Sequence, residues 1–260
     1  MAEEREAKNP VQSAERIFQV METLADHGEM GLMELSTALD LHKSTVHRLL
    51  MSLIYMGYAK QDEATQKYML SYKVVNMAGK ILERMDMLQV AKPYMERLSD
   101  LSGEAVHLVQ REGNHILYIY KIEAKVGTIR MVSHVGMVHP MYCSGVGKAI
   151  MATLPDEEVK KIWNESIIEK KTDKTITDFS QMQEVLEEVR QNGYALDDEE
   201  NEKGVRCIAA CLHGYQKEVK YAFSISGPTS RMTRERVKEL AVDVKKVQEE
   251  LSRELGYYKS

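Results

Sequence analysis

The sequence predicts an α+β protein in which a small helical domain with a two-stranded hairpin precedes a larger domain built on a mostly antiparallel sheet. Apolar residues recur at helical spacing through the first 57 positions, and short strand-like segments follow Gly57. Further along, strand-like segments joined by short turns are mixed with helices at both ends of the region, which is typical of α+β domains. We predict a disordered tail over residues 1–9, a first domain over 10–71, a linker helix over 72–86 and a second domain over 87–260.

Three helices are predicted in the first domain. The first runs from Ser13 to His27 and stops at Gly28, and the second covers about 32–39. The turn at 40–43 has the length that a helix-turn-helix uses, and Ser44 is the expected N-cap of the third helix. The third helix ends at a glycine, and its apolar stripe comprises Val46, Leu49, Leu50, Leu53 and Met56.

A hairpin is predicted after the third helix, with strands at 58–60 and 67–70 around a polar stretch. Three helices followed by a hairpin make a winged helix-turn-helix, in which the second helix of the motif lies in the major groove of DNA. An ordinary helical hairpin with a polar surface is the alternative for the motif alone. The residues predicted to contact DNA are Lys43, Ser44, Thr45, His47, Arg48, Lys60 and Lys67.

The rest of the chain is predicted to begin with a helix over 71–84 that connects the domains and helps the chain to dimerise. Pro155 is expected at the first position of a helix, and Asp178 and Gln181 are expected to form a capping box. Further helices are predicted at 87–101, 145–152, 178–192 and 233–255, and strands at 105–110, 116–122, 128–133, 137–142, 194–197, 205–212 and 219–226.

Composition is that of an ordinary globular protein, with 43% hydrophobic and 29% charged residues and a net charge of −5 over 260 residues. The charge is unevenly distributed along the chain. Residues 41–80 carry six basic and two acidic side chains, whereas residues 1–40 carry three basic and nine acidic side chains. A local basic stretch fits a small DNA-reading surface. No apolar run is long enough for a membrane helix, the charged N-terminus is unlike a signal peptide, and three cysteines do not suggest a disulfide scaffold. We therefore expect a cytoplasmic protein without a membrane partner.

Neither a cofactor, a metal site nor a catalytic residue is predicted. Gly147-Lys148 lacks the earlier glycine and the following Ser or Thr of a phosphate-binding loop. Cys207 and Cys211 do not have the spacing of a zinc-binding cysteine pair. A metal site remains an alternative only because the chain has several scattered histidines. Cys143 has His139 nearby, but no orienting group for a nucleophilic pair is evident.

Four motifs together resemble the IclR family of bacterial transcriptional regulators. They are the helical region 15–59 and the blocks PMYCSGVGKAIMATLP at 140–155, DDEENEKGVRCIAACL at 197–212 and FSISGP at 223–228. The resemblance implies a winged helix-turn-helix, a linker helix and a GAF-like effector domain. It also implies homodimers, which are commonly paired into dimers of dimers, on palindromic double-stranded operator DNA.

Within the family the chain resembles the repressors of pectin and hexuronate breakdown that respond to 2-keto-3-deoxygluconate, in the stretches 120–122, 130–133 and 140–142. The family binds its small organic acid effector in the C-terminal domain. Position by position, the resemblance places that site on Gly145, Val146, Asp197, Cys207, Ser224 and Ser226.

The chemistry of these residues agrees with that role. Gly145 and Val146 begin a helix, where free N–H groups favour a carboxylate, and Ser224 and Ser226 point to one face of a strand. Met131 is expected to line the apolar side, whereas its neighbour Arg130 is expected to face the other way. Each residue also has a purely structural alternative. The glycines could simply permit a tight turn, and the serines could be surface residues. Cys207 could be a small buried apolar residue.

The sequence therefore predicts a ligand-responsive transcription factor, a repressor that its effector inactivates. The rival from another class is a metabolite-binding module or an enzyme acting on a small acid, which would use its helical N-terminus to dimerise. A purely architectural DNA-binding protein is a third hypothesis.

Overall fold

The structure, a computed structural model, describes residues 9–82, 86–125, 132–215 and 219–258. Its contacts divide the chain into two compact units, Met1–Met85 and Asp86–Ser260. The α+β class and the antiparallel sheet are confirmed. Most of the predicted disordered tail, residues 128–131 of the predicted strand at 128–133, and the end of the predicted linker helix lie outside the described residues.

The described part of the first unit has the winged helix-turn-helix arrangement. Its core combines one face of each of the first three helices with the hairpin, through Val20, Leu35, Leu50 and Tyr68 among others. The elements are α1 (Gln12–His27), α2 (Leu32–Ala38), α3 (Lys43–Tyr55), β1 (Ala59–Gln61), β2 (Tyr68–Leu70) and α4 (Tyr72–Leu82).

Two predictions about α3 are wrong. His42 is the N-cap, so Ser44 lies within the first turn, because backbone N–H groups of Thr45 and Val46 already donate to the His42 carbonyl. The preceding turn fixes this start, since the Ser36 hydroxyl donates to the Leu41 carbonyl across 2.6 Å. Met56 is the C-cap and is 39% exposed, because the helix ends one residue earlier and the chain turns away from the core.

The start of α4 is fastened to the end of α3. The Ser71 hydroxyl donates to the Gly57 carbonyl, and the Lys73 ammonium donates to the Met56 carbonyl at 2.6 Å. The same ammonium lies 4.4 Å from the centre of the Tyr58 ring. Because the last carbonyls of a helix have no intrahelical partner, a lysine at this end satisfies both hydrogen bonding and the helix dipole. The direction of α4 is therefore tied to α3 within this unit.

The second unit is a sheet with helices on both faces. Six described strands lie in the order β5-β4-β3-β8-β7-β6, and all neighbours are antiparallel. The elements are α5 (Met87–Ser102), β3 (Ala105–Glu112), β4 (His115–Ile122), β5 (Val138–Pro140), α6 (Gly145–Met151), α7 (Asp156–Glu165), α8 (Phe179–Asn192), β6 (Ala195–Asp198), β7 (Val205–His213), β8 (Val219–Pro228) and α9 (Arg234–Glu254).

The two faces of the sheet carry separate cores. In β7, Ala209 and Cys211 pack with α6 and α8, whereas Ile208 and Ala210 pack with α5 and α9, as the two-residue period of a strand requires. The apolar stripe predicted for the last helix is buried against the second of these faces. The sheet thus separates the α6 side, where the candidate ligand residues lie, from the α5–α9 side.

Both ends of α8 lie close to the predicted positions, although the described structure shows only the Asp178 half of the predicted capping box. The Asp178 carboxylate accepts the Gln181 N–H at 3.0 Å, and Gly193 ends α8 in the left-handed region with φ +77°. Pro155, however, is the N-cap of α7 and not its first residue. The strand predicted at 137–142 is shortened to β5, because Met141 to Ser144 form the tight turn into α6.

This turn brings backbone against backbone at Gly147. A Cβ at Gly147 would lie 2.2 Å from the Met141 carbonyl oxygen and 2.4 Å from its Cα, far inside contact distance. The neighbouring Gly145 is also close, with a Cβ position 3.3 Å from Ala209 and 3.4 Å from the Asp197 nitrogen. Glycine at both positions therefore lets the start of α6 press onto the sheet.

We expect Gly147→Ala to destabilise the protein by about 3 kcal/mol or more, since the added methyl group meets rigid backbone. Gly79→Ala is the matched helical control, because nothing lies within 4 Å of its Cβ position. It should be neutral or stabilising by up to about 1 kcal/mol. Chemical denaturation of both variants measures this, and equal effects would contradict the packing described here.

Candidate functional site

The exposed face of α3 is polar and basic. Ser44, His47 and Arg48 are exposed on it, together with Met51 and with Tyr55, whose side chain is 92% exposed. These positions recur every three or four residues, opposite the buried stripe. No aspartate or glutamate occurs between Lys43 and Tyr55. The face can therefore present donors to nucleic acid without a repelling carboxylate.

The structure places the other predicted DNA-contacting residues less uniformly. Lys43 and Lys60 are exposed, but Thr45 and Lys67 are half-buried. The hairpin loop is organised by Asp62, whose carboxylate accepts the Thr65 N–H at 2.7 Å and the Thr65 hydroxyl at 2.9 Å. These bonds hold the pKa of Asp62 below its usual value. The hairpin loop is thus held in one conformation by these bonds, and this hairpin is called the wing below.

The second candidate site is a cavity of about 50 Å³ between the start of α6 and the sheet. The structure brings six of the predicted effector residues together in its wall. Met131 lies outside the described residues, as does Arg130. The lining includes Gly145, Val146, Asp197, Cys207, Ser224 and Ser226.

His107 is a polar group in this wall that the sequence did not reveal as a candidate. Its Nε2 lies 2.8 Å from the Ser133 hydroxyl, and its Nδ1 lies 3.4 Å from Ser226 and 3.5 Å from Ser224. Burial, with a smaller effect of Lys121, lowers the pKa of His107 to about 3, so the ring is neutral. Its Nδ1 lies at the outer limit of hydrogen-bonding distance from both hydroxyls. Only the strand register, in which position 107 faces 224, brings these groups together.

Asp197 is the carboxylate of the cavity. It is 4% exposed, and its Oδ1 accepts the backbone N–H groups of Glu200 at 2.8 Å and Asn201 at 3.4 Å. Burial raises its pKa to about 7, and the nearby Glu200 acts in the same direction against the opposing charge of Lys148. Asp197 can therefore exchange a proton near neutral pH.

Lys148 has a different role from that of a phosphate-loop lysine. It is 1% exposed and forms an ion pair with Glu200, which is also buried. Removing one partner of a buried pair leaves an uncompensated charge, which is costly. Lys148 and Glu200 therefore fix α6 against the loop after β6, which also carries the Asp197 contacts.

Cys143 and His139 do not form an activated nucleophile. Their Sγ and Nε2 atoms lie 3.5 Å apart. Burial raises the pKa of Cys143 to about 12 and lowers that of His139 to about 4, so both groups are neutral. In the described part of the chain, no three of its His, Cys, Asp and Glu side chains are grouped so as to hold a metal ion.

Comparison with known proteins decides what kind of protein carries these two sites. The family described as the IclR helix-turn-helix domain matches residues 13–63, and the family described as bacterial transcriptional regulator IclR C-terminal matches residues 79–253. The chain belongs to the IclR family of bacterial transcriptional regulators. It is therefore a DNA-binding regulator and not an enzyme, as predicted.

Relatives within the IclR family match almost the whole chain. The HTH-type transcriptional regulator KdgR of Escherichia coli is 33% identical over 95% of this chain and 94% of its own length. The DNA-binding transcriptional repressor YiaJ of the same organism is 35% identical over 99% and 92%. The crystal structure of Thermotoga maritima IclR superposes with a TM-score of 0.64 at 28% identity, covering 94% of this chain and 99% of that one.

Over the described ranges, no helix combines the length and the apolar character needed to cross a membrane.

Replacing Lys148 with Met should destabilise the protein by about 3–5 kcal/mol at pH 8, because buried Glu200 and Asp197 lose their cation. The loss should be smaller at pH 5, since a carboxyl group without its cation takes up a proton. Lys161→Met is the control, because Lys161 and Glu165 form a surface pair with both side chains more than half exposed. That change should cost less than about 0.5 kcal/mol. Equal losses in urea denaturation would refute the buried pair.

Proposed function

We propose that this IclR-family regulator is a repressor that releases its operator when a small organic acid binds the cavity. The acid is 2-keto-3-deoxygluconate or a related sugar acid. Residues 10–71 would bind DNA, 72–86 would link, and 87–260 would bind the effector. The observation that carries this proposal is the meeting of a helix start with the buried hydroxyls of two serines and a buried carboxyl group in the wall of one cavity.

DNA binding is assigned to α3 and the wing. The N-terminal residues of such a helix reach base edges, and wing lysines meet phosphates. Arg48 and His47 carry donors on the exposed face, and Lys60 is exposed on β1. The half-buried Thr45 and Lys67 stay in the proposal as marginal contacts, together with Lys43 and Ser44.

Effector binding is assigned to the chemistry of the cavity wall. The first N–H groups of α6, at Gly145 and Val146, suit a carboxylate, because the first turn of a helix leaves donors without intrahelical partners. Ser224, Ser226 and Asp197 suit the hydroxyl groups of a sugar acid. Cys207 and Met131 would supply less polar contacts.

A homodimer on a palindromic operator is the proposed assembly, with pairing of dimers as its extension. The support is an exposed apolar surface on α4, where Tyr72 is 82% and Val75 63% exposed. Such side chains on one helix favour burial by a second copy. Effector binding would shift the population towards dimers whose two α3 helices no longer match the half-site spacing.

Replacing Arg48 with Ala should weaken operator binding by about tenfold or more, because a base or phosphate contact contributes about 1–3 kcal/mol. Effector affinity should not change. Arg253→Ala is the control, since Arg253 is an exposed arginine on α9 in the other unit. Fluorescence anisotropy with a labelled operator measures both, and an unchanged affinity in the Arg48 variant would remove α3 from the DNA contact.

Thermal unfolding against 2-keto-3-deoxygluconate, glyoxylate, pyruvate and aromatic acids tests the effector site. A ligand that binds only the folded protein raises the melting temperature by mass action. The shift should be greatest with the sugar acid and should be lost in the double variant Ser224→Ala, Ser226→Ala. Ser180→Ala, at an exposed serine of α8, should retain it. A shift with another acid would replace the sugar-acid proposal, and a shift that survives the double variant would remove both serines from the site.

A further inference from the structure

Three charged side chains are buried together beside the cavity. Lys148 on α6 forms an ion pair with Glu200, and Asp197 at the end of β6 accepts the Glu200 N–H. All three residues are less than a tenth exposed. With every group ionised this cluster has a net charge of −1, which a low-dielectric interior disfavours. One bound proton makes the cluster neutral.

The hydrogen bonds within the cluster leave carboxylate oxygens that can bind that proton. Glu200 Oε2 is buried and has no hydrogen-bond partner among the described residues. Both N–H donors that bond to Asp197 reach Oδ1. Asp197 lines the cavity, whereas Glu200 lies behind it. A ligand in the cavity therefore acts most directly on the Asp197 carboxyl.

The groups around Asp197 on other elements are mostly neutral. Cys207 lies opposite it on β7, and Tyr118 on β4 and Cys143 before α6 are close enough to interact with it electrostatically. Burial is the main cause that raises the pKa of each of these three groups, so they stay protonated. His107 on β3 is neutral as well.

Acidic groups outnumber cations at this cavity. Of the described residues that line it, Asp197 and Glu202 are acidic and none is a lysine or an arginine. The nearby cations have carboxylate partners: Lys148 pairs with Glu200, Arg206 on β7 pairs with Asp198, and Lys121 on β4 pairs with Glu123. A carboxylate that enters the cavity thus adds negative charge to a wall that already carries a surplus.

We propose that binding of a carboxylate effector is coupled to the uptake of one proton by Asp197, so that the regulator binds its effector more tightly as the pH falls. The inference rests on the proposed function, in which an organic acid occupies this cavity. It adds a second input, the proton, to the same site. A cell that becomes acidic while the acid accumulates would then release repression at a lower effector concentration.

The sign and size follow from linkage. The pKa of Asp197 is about 7 in the free protein, and a bound anion raises it further. Between those two values each binding event takes up about one proton. The dissociation constant should therefore rise up to about tenfold per pH unit above pH 7.

Isothermal titration calorimetry of the full chain tests this coupling. We would titrate 2-keto-3-deoxygluconate, pyruvate and glyoxylate at pH 6 to 8.5, each in two buffers with different ionisation heats. The difference in heat between buffers should report uptake approaching one proton near pH 8. Asp197→Asn mimics the protonated carboxyl, so it should take up none and should bind the acid more tightly than wild type at pH 8.

Asp198→Asn is the matched control. Although partial burial acts in the opposite direction, hydrogen bonds from Arg206 and Lys174 hold the pKa of Asp198 below its usual value. It is ionised throughout this pH range, so its variant should retain the proton uptake. Binding with no buffer-dependent heat, or uptake that persists in Asp197→Asn, would overturn the inference while leaving the proposed function in place.

A ligand-free measurement keeps the inference testable if none of the three acids binds, which would count against the proposed function. Since the pKa of Asp197 in the folded protein exceeds its unfolded value, its contribution to stability is lost as pH rises towards and through about 7. The melting temperature of wild type relative to Asp197→Asn should fall from pH 5 to pH 7 and level off above pH 8. A constant difference over this range would overturn the proton site itself.

Discussion

The contact between the start of α6 and the backbone before it is the constraint on which the second unit depends. Gly147 lies against the Met141 backbone at a distance that leaves no space for a side chain, and Gly145 lies in close contact with the sheet. A cavity lies between the first turn of this helix and the sheet. The helix also carries Lys148 into the interior, where the chain must supply a carboxylate. The buried Glu200 meets that requirement, and the loop after β6 is held in place as a result.

The cavity is polar, and its described lining has two carboxyl groups and no cationic side chain. His107 and the nearby thiols are neutral because burial disfavours their charged forms, and the described wall has no cationic side chain. Backbone N–H groups and hydroxyls are then the means by which an acid can be held. Such a site would discriminate between ligands by geometry as much as by charge. Hydroxyl groups in fixed positions bind more tightly to a ligand whose own polar groups match them. In the proposed effector site, the buried carboxyl of Asp197 would couple ligand binding to protonation.

In the first unit the comparable constraint lies at the end of α3. Lys73 and Ser71 donate hydrogen bonds to the carbonyls of Met56 and Gly57, so α3, the proposed DNA-contacting helix, and α4, the proposed linker, share one junction. A change in the direction of α4 would have to break these bonds or carry α3 with it. In the proposed function this junction would transmit a change in the dimer to DNA, because half-site spacing depends on where α3 is placed.

Periodicity and local signals in the sequence determined the elements of both units. The apolar stripes of α1 and α9, the Asp178 cap and the glycine after α8 depend on residues within one or two turns, so their spacing is legible in the chain. The same local signals misplaced the start of α3 and the first residue of α7, because a neighbouring turn decides where a helix begins. Motifs of this kind also sufficed to identify the IclR family.

Only the tertiary structure determines which side chains meet in the candidate site. His107 and Ser224 are 117 positions apart, and only the order and register of the strands bring them within hydrogen-bonding distance. In the sequence, Lys148 belongs only to an incomplete phosphate-binding motif, and its ion-pair partner Glu200 lies 52 positions away. The sequence determined which face each residue takes within its own element. Which residues meet across elements, and therefore which charges are neutralised, depends on long-range packing that no local pattern encodes.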